Sequence, residues 1–465
     1  MKQVVDFRIV TTRAVACLAV ALVAHSGIAT PIAFAQQTLV EEAVEQKQEG
    51  DIPEKEVESS EPSFDLKLQL ESFDAVWKTI KDSHWDDEKV GDSWTAAKEK
   101  YRPMVESADS VGRVREVMGL LIETLGQSHF GVIPSDAYEE VEEGEDEGDS
   151  NAGLSLRMMD GGIGVSKVRE GSSADRAGVK PGWMVNSVGG KAIEDILPKI
   201  KKAVKGPVRL ETLAGRVFTG RTSGALGSKK DFVFFDETGK SVELSLEMEE
   251  PPGNMTKFGN LPKMRVDFES KTLGDGVGYF RFSSFFDPVK VMPAYATAVR
   301  NEEHTKGFII DLRGNPGGMA GMTMGMARPL VEETVELGVM SMRGTELKFN
   351  AIAQPNPYKG KVVVLIDECS ISCSEILSGG LQDLGIAHVI GARTAGLALP
   401  SVVSKLPNGD GLQYAMADYH SKSGRSLEMA GVTPDEAIVL TAEMLHADPD
   451  PALTKAIDWI SSQNK

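Results

Sequence analysis

Cysteine is nearly missing from this sequence, with three among 465 residues. None sits in paired C-x-x-C spacing, which excludes a disulfide framework and a structural zinc and leaves the fold to rest on its apolar core. Basic residues are in deficit too. Lysine and arginine number 50 against 69 acids, a formal net charge of −19, and such a surface repels a phosphate backbone, so nucleic acid is not an expected partner. Long apolar runs are also lacking. The run Ala14 to Ala24 has 11 residues, where a span needs about 20. What remains is an ordinary globular composition, 41% hydrophobic and 26% charged, in a length that suits about three domains.

Lys2, Arg8 and Arg13 precede that apolar run, and Ala33-Phe34-Ala35 follows it. This is the pattern of a secretory leader over residues 1–35, cut before Gln36. A lipid anchor at Cys17 fits less well, because the apolar stretch continues past the cysteine. The expected product is exported, periplasmic or extracellular, with no membrane span after cleavage. Residues 36–62 form an acidic linker, with nine acids and two lysines between Glu41 and Glu61 and no apolar period. From Phe64 the spacing turns helical: Leu66, Leu70, Phe73, Val76, Trp77 and Ile80 share one face, and a second amphipathic run covers Val111 to Leu125. The expectation is a small N-terminal helical domain over residues 63–137. An acidic run, Glu139 to Asp149, marks the boundary that follows.

Short alternating strands (Ile163 to Val168, Val242 to Leu246) and turn glycines fill residues 153–250. The pieces Gly153-Leu154-Ser155-Leu156, Gly162-Ile163-Gly164-Val165, Gly171-Ser172-Ser173-Ala174, Ala177-Gly178-Val179-Lys180-Pro181-Gly182-Trp183 and Val188-Gly189-Gly190 resemble a bacterial PDZ domain. That resemblance implies a sheet edge that takes up a peptide strand and backbone amides at Gly153, Leu154, Ser155 and Leu156 that receive its terminal carboxylate. Ser155 stands where a glycine is usual.

Residues 255–465 read as an α/β core, with strands at Gly276 to Phe282, Gly307 to Asp311 and Lys361 to Ile366 and a helix from Ser374 to Leu384. Two turns leave its strands where such folds place chemistry. One is Asp311-Leu312-Arg313-Gly314-Asn315-Pro316-Gly317-Gly318, whose glycines permit close backbone approach. It lacks the Gly-Lys-Ser/Thr ending of a phosphate loop. The other is Cys369-Ser370-Ile371-Ser372-Cys373-Ser374-Glu375-Ile376, where a serine is either an exposed nucleophile or an ordinary helix cap.

With Leu406-Pro407-Asn408-Gly409, Ser423-Gly424-Arg425-Ser426 and Gly431-Val432-Thr433-Pro434-Asp435, residues 64–465 resemble the PDZ-containing serine peptidases of the C-terminal-processing and tricorn group. The resemblance implies a ClpP/crotonase-like α/β core with Ser372 as nucleophile. Cys373 and a glycine of the Gly317-Gly318 pair would supply the oxyanion-hole amides. The processing branch carries a lysine 25 residues after the nucleophile, and here that position is Leu397, which cannot accept a proton. Gly126-Gln127-Ser128-His129-Phe130 instead matches the Ser-His pair of the tricorn branch, and Glu428 stands where that branch has its acid. The implied tetrad is Ser372, His129, Ser128 and Glu428, with His129 as general base. Asp311 and Asn315 are expected to brace the glycine turn, and His84, His388 and His446 to be structural or exposed.

The expected function is therefore an exported serine endopeptidase acting on proteins or peptides and guided by PDZ recognition of substrate C-termini, with no cofactor and no metal. Two alternatives are a non-catalytic ligand- or peptide-binding protein on the same fold and an acyl hydrolase using the same serine.

Overall fold

Apolar side chains at helical spacing build the first layer of the chain. The computed structural model describes residues 64–135, 150–203 and 209–463, apart from 302 and 305. The expected leader, the acidic linker and the acidic run from Glu139 to Asp149 lie outside the described residues. Helix α1 (Leu66–Ser83) starts at Asp65, whose carboxylate accepts from the amides of Lys67 and Leu68, and α3 (Val111–Glu123) starts at Ser110, which caps Arg113. Between them lies α2 (Asp92–Glu106), which the sequence reading did not place. Phe73, Ile80, Trp94, Val114, Met118 and Leu121 form a core shared by all three. The chain then leaves as β1 (Gly131–Ile133).

The next region is an antiparallel sheet with two covering helices. Strands β2 (Leu154–Met159), β3 (Gly162–Val168) and β4 (Met184–Val188) precede helices α4 (Ile193–Ala203) and α5 (Leu210–Arg221), and β5 (Lys229–Phe235) and β6 (Ser241–Glu247) complete the order β2-β3-β4-β5-β6. Leu156, Val165, Phe218, Phe232 and Phe234 fill its core. Strand β2 lies at a sheet edge, and α5 packs along it.

Two-sided burial explains the continuous apolar strands of the last region. Strands β7 (Phe268–Leu273) and β8 (Val277–Phe282), helix α6 (Pro288–Val299), strand β9 (Gly307–Asp311) and helix α7 (Ala320–Ala327) come first. A hairpin of β10 (Val335–Met342) and β11 (Thr345–Ala351) leads to β12 (Lys361–Ile366), α8 (Cys373–Asp383) and β13 (Ala387–Gly391). Strands β14 (Ser401–Lys405), β15 (Gly411–Ala415), β16 (Ala417–Ser421) and β17 (Glu436–Ala437) and helix α9 (Pro451–Gln463) follow.

The main sheet runs β7-β8-β9-β12-β13-β17, parallel except for the β7–β8 pair. Val362, Val364 and Ile366 face the core under α6, α7 and α8, while Val363 and Leu365 face Ala456 and Ile460 of α9. With both faces covered, alternate residues are equally buried and the strand carries no polar side. The architecture is mixed α/β, as expected. The helix after the serine turn runs from Cys373 to Asp383, one residue earlier at each end than its apolar spacing suggests.

Two features position the site. Strands β9 and β12 are parallel neighbours, so the glycine turn and the serine turn emerge side by side at their carboxyl ends. Strand β1 pairs antiparallel with β15, which tethers the segment after α3 to the last region. The Arg115 guanidinium strengthens that tether by donating to both carboxylate oxygens of buried Asp410, at 2.7 and 3.1 Å.

Candidate active site

Backbone demands dispose of most of the polar side chains in the serine turn. Asp367 Oδ1 accepts from the amides of Gly314 (2.8 Å) and Cys369 (3.0 Å), binding the two turns together. The Ser370 hydroxyl donates to the Leu312 carbonyl (2.8 Å) and that of Ser374 to the Asn315 carbonyl (2.9 Å), and both side chains are fully buried. Ser372 alone of the three is partly exposed. Its backbone is also unusual, with φ +57° and ψ −115°, a conformation that costs a non-glycine residue about 1–3 kcal/mol and collects at functional sites. A serine held there, on a tight connection from a strand to a helix start, presents its Oγ outward with helix amides behind it.

The glycine turn lies against this serine. Asn315 donates to the Phe282 carbonyl (2.9 Å) and accepts from the Gly317 amide (2.9 Å), so Gly317 has no amide left to offer. The Gly318 amide has no intramolecular acceptor among the described residues, and neither has that of Cys373. Gly317 has φ +89°, and a Cβ there would come within 2.8 Å of both the Cys373 amide nitrogen and the Ser372 Cβ. Only glycine lets the two turns approach so closely. Asp311 braces the turn as expected: Arg313 binds it and Asp450 together, and that guanidinium holds the Asp311 carboxyl well below the usual range despite burial.

After α3 the chain turns through Gly126 and reaches Ser128 and His129, the latter at φ +60°. The Glu428 carboxylate accepts from the Ser128 amide (2.8 Å), the Ser128 hydroxyl (2.8 Å) and the Ala398 amide (3.1 Å). Ser128 Oγ also lies 2.8 Å from His129 Nδ1. Its single proton goes to the carboxylate, so the hydroxyl oxygen accepts from Nδ1–H and the lone pair of the imidazole is left on Nε2. Burial, aided by the Arg216 cation of α5, pushes the His129 pKa down to about 4. Burial pushes Glu428 upward against those three hydrogen bonds.

His84, read from sequence as structural or exposed, is fully buried and stacks on Trp85. Its Nε2 lies 2.8 Å from Gln127 Oε1, and its Nδ1 accepts from the Asp86 amide (3.0 Å). It thus steadies the residue before Ser128. No local motif marks it, because its partner lies 43 positions away. The lysine-branch position, Leu397, is buried, and its carbonyl accepts from the Ser372 amide (3.0 Å).

His129 faces a cavity of about 820 Å³, whose wall includes Arg157 of β2, Arg216 of α5, Pro316, Ile371 and Leu397. Three parts of the chain meet there. Among the described residues no hydrogen bond joins Ser372 Oγ to His129, and no group of three His, Cys, Asp or Glu side chains is arranged to hold a metal. Cys369 and Cys373 are buried free thiols. Gly153 donates its amide to Asn151 (3.0 Å), and Leu154, Ser155 and Leu156 lie in edge strand β2, with Arg157 paired to Asp367 at 3.0 Å.

Residues 276–438 match the model of peptidase family S41, and residues 69–123 match the Tricorn protease C1 domain. A carboxyl-terminal-processing protease of Synechocystis sp. is 24% identical over 379 residues, covering 80% of this chain and 80% of the relative. Together the matches support a C-terminal-processing serine peptidase, with the S41 segment at residues 276–438. It is a serine-type peptidase. Among solved structures, a photosystem II D1 C-terminal processing protease aligns over 83% of this chain and 96% of its own length, with TM-score 0.54 and 20% identity. Mature CPAF aligns over 85% and 96%, with TM-score 0.54 and 15% identity. Both likenesses concern the fold. The S41 segment carries Ser372 and Glu428, whereas Ser128 and His129 fall just beyond the Tricorn C1 match. The segment with the β2–β6 sheet lies between the two matches.

Proposed function

We propose that this peptidase works through a Ser372, His129, Ser128, Glu428 tetrad and not through a serine-lysine pair. The observation that carries the reading is the Glu428–Ser128–His129 relay, whose hydrogen bonds leave the Nε2 lone pair as proton acceptor. Ser372 attacks the scissile carbonyl while Nε2 takes its proton, and the imidazolium later gives that proton to the leaving amine. The amides of Gly318 and Cys373 receive the oxyanion, where one such donor is worth about 3–4 kcal/mol. Gly317 serves by its missing side chain. The absent contact between Ser372 and His129 closes when substrate binds, as catalytic hydrogen bonds often do.

The test is labelling by a fluorophosphonate probe followed by peptide mapping. The modified residue is expected to be Ser372, and a label on any other serine would sink the assignment. Hydrolysis of peptides, beyond that of simple esters, separates the peptidase from an acyl hydrolase.

The N-terminal helical domain (63–137) delivers His129, the domain over 153–250 is of PDZ type, and residues 255–465 form a ClpP/crotonase-like core; the chain is exported through its leader. Support for the PDZ assignment comes from β2 being the edge strand of its sheet with α5 packed beside it, the pair of elements that takes up an added peptide strand. Its helix α5 and strand β2 also contribute to the cavity wall, so a bound C-terminus lies close to the chemistry. Peptides with a free, apolar C-terminus are expected to show a KM about tenfold lower than their C-terminal amides, because an amide forfeits the charged contact. Equal KM values would leave the domain as a spacer.

A further inference from the structure

Among the buried acids that the mechanism leaves unused, one touches the nucleophile's own backbone. Glu375, at the third position of α8, is fully buried, and its carboxylate meets four donors. Oε1 accepts from the Thr394 hydroxyl (2.6 Å) and the Gly396 amide (2.8 Å), and Oε2 accepts from the amides of Ser372 (3.0 Å) and Leu397 (3.0 Å). The Thr394 hydroxyl is free to donate, because its oxygen accepts from the Val432 amide at 2.7 Å. This one side chain joins the nucleophile's backbone to the 394–397 turn. In this chain that turn holds Leu397 where the processing branch holds lysine.

We propose that Glu375 is a positioning residue that holds Ser372 in place only as a carboxylate, so that uptake of one proton loosens the nucleophile turn and slows the peptidase while the fold stays intact. This rests on Ser372 being the nucleophile.

The geometry requires an anion. Two carboxylate oxygens offer four lone-pair directions, and all four are met by donors. A proton on Oε2 points at the Ser372 or Leu397 amide, and a proton on Oε1 points at the Gly396 amide or forces the Thr394 hydroxyl to turn away. Either way one of the four bonds is lost, and a proton facing the Ser372 amide leaves that N–H, which Glu375 shares with the Leu397 carbonyl, held by the carbonyl alone. Among the described residues no lysine, arginine or histidine pairs with this carboxylate. Arg393 donates to the carbonyls of Met429 and Ala430, Glu428 is taken up by Ser128 and Ala398, and the neighbouring Cys373 thiol is pushed upward by burial. Burial pushes the Glu375 pKa up to about 7 against its four hydrogen bonds.

The sign of the linkage separates this effect from denaturation. The folded pKa lies above the ordinary value of 4.5, so the folded chain binds the proton more tightly than the unfolded chain. Acidification through 7 and down to 4.5 therefore does not cost stability at this group. His129 is shifted the other way, to about 4, so it stays neutral over the same range and an ionisation near neutrality is not its own.

The experiment follows the rate of fluorophosphonate labelling of Ser372, confirmed by mapping, from pH 4.5 to 9, with circular dichroism in parallel. The wild type is expected to lose about tenfold or more in rate through an ionisation near 7 with its spectrum unchanged. Glu375→Gln, whose amide N–H sets a donor against a donor, is expected to be at least tenfold slow at pH 8, with no ionisation near 7 and KM for peptides little changed. A Glu375→Gln enzyme that keeps the wild-type rate or the wild-type ionisation overturns the proposal. The latter result would point to Glu368, which burial and Asp367 also push upward. If Glu375→Gln fails to fold, Thr394→Val removes one donor and is expected to move the ionisation upward by about one unit, whereas Thr394→Ser keeps it in place. An unmoved ionisation in Thr394→Val overturns the proposal as well. A label found on another residue overturns the nucleophile assignment itself, and this inference with it.

Discussion

Ser372→Ala is expected to lose peptide hydrolysis by about 10⁴-fold or more, because the oxyanion donors and the binding site remain while the nucleophile is gone. The same change should leave the melting temperature within a few degrees of wild type. Its hydroxyl caps the first turn of α8 and holds no carbonyl of the glycine turn, unlike those of Ser370 and Ser374, which each hold one from a fully buried position. Ser370→Ala and Ser374→Ala are thus expected to lower stability by about 1–3 kcal/mol, since each strips a buried acceptor of its partner. Thermal melts and progress curves on the three variants decide the matter. Full activity in Ser372→Ala, with loss in either of the others, would place the nucleophile elsewhere in the turn.

His129→Ala is expected to cost about 10⁴-fold in kcat, and also to slow fluorophosphonate labelling, since the proposed proton acceptor for Ser372 is gone. Leu397→Lys in that background should not restore the rate: a lysine has to be shifted several pK units down by a site built to desolvate it. Glu428→Gln is expected to cost less, as it removes a supporting charge and not the acceptor. A histidine base acts only when neutral. From a pKa of about 4, His129 is neutral at pH 6 and above, and its own loss of activity comes only as the pH falls below about 5. Arg216→Gln removes the cation facing it and is expected to shift that lower ionisation upward. The Glu375→Gln variant is the cleanest background for seeing it, since the step near neutrality is absent there. Near-normal turnover by His129→Ala would remove histidine from the mechanism.

The apolar strands were legible in the sequence because burial on both faces leaves no polar residue to interrupt them. Gly307–Asp311 and Lys361–Ile366 fall where their composition places them. Helices α2, α4, α5, α6, α7 and α9 were less legible. Their apolar positions are spread or interrupted, as by Pro103 in α2 and Pro293 in α6, and packing against a sheet or a neighbouring helix decides them more than local preference does.

Residue types near the site were visible in the same way: a serine before a helix, a Ser-His pair after one, glycines after a strand, and no lysine at position 397. The resemblance of their motifs to the C-terminal-processing and tricorn group was what proposed which of them act together. Their mutual geometry was not available at that level. Ser128 and Glu428 lie 300 positions apart, and the pairing of β1 with β15, with the Arg115–Asp410 contact, brings the end of α3 to the last region. The resemblance pointed to Ser372, and what only the structure adds is that the glycine turn consumes the hydroxyls of Ser370 and Ser374. The downward shift of His129 and the upward shift of Glu375 arise from burial by segments remote in sequence, including α5 of the middle sheet. Sequence alone determined the chemical inventory and the layered core, because composition and periodicity are local properties. Tertiary structure decided which hydroxyl is free, which ring nitrogen is bare and which carboxylate is buried among four donors, because each depends on what the fold places within about 3 Å.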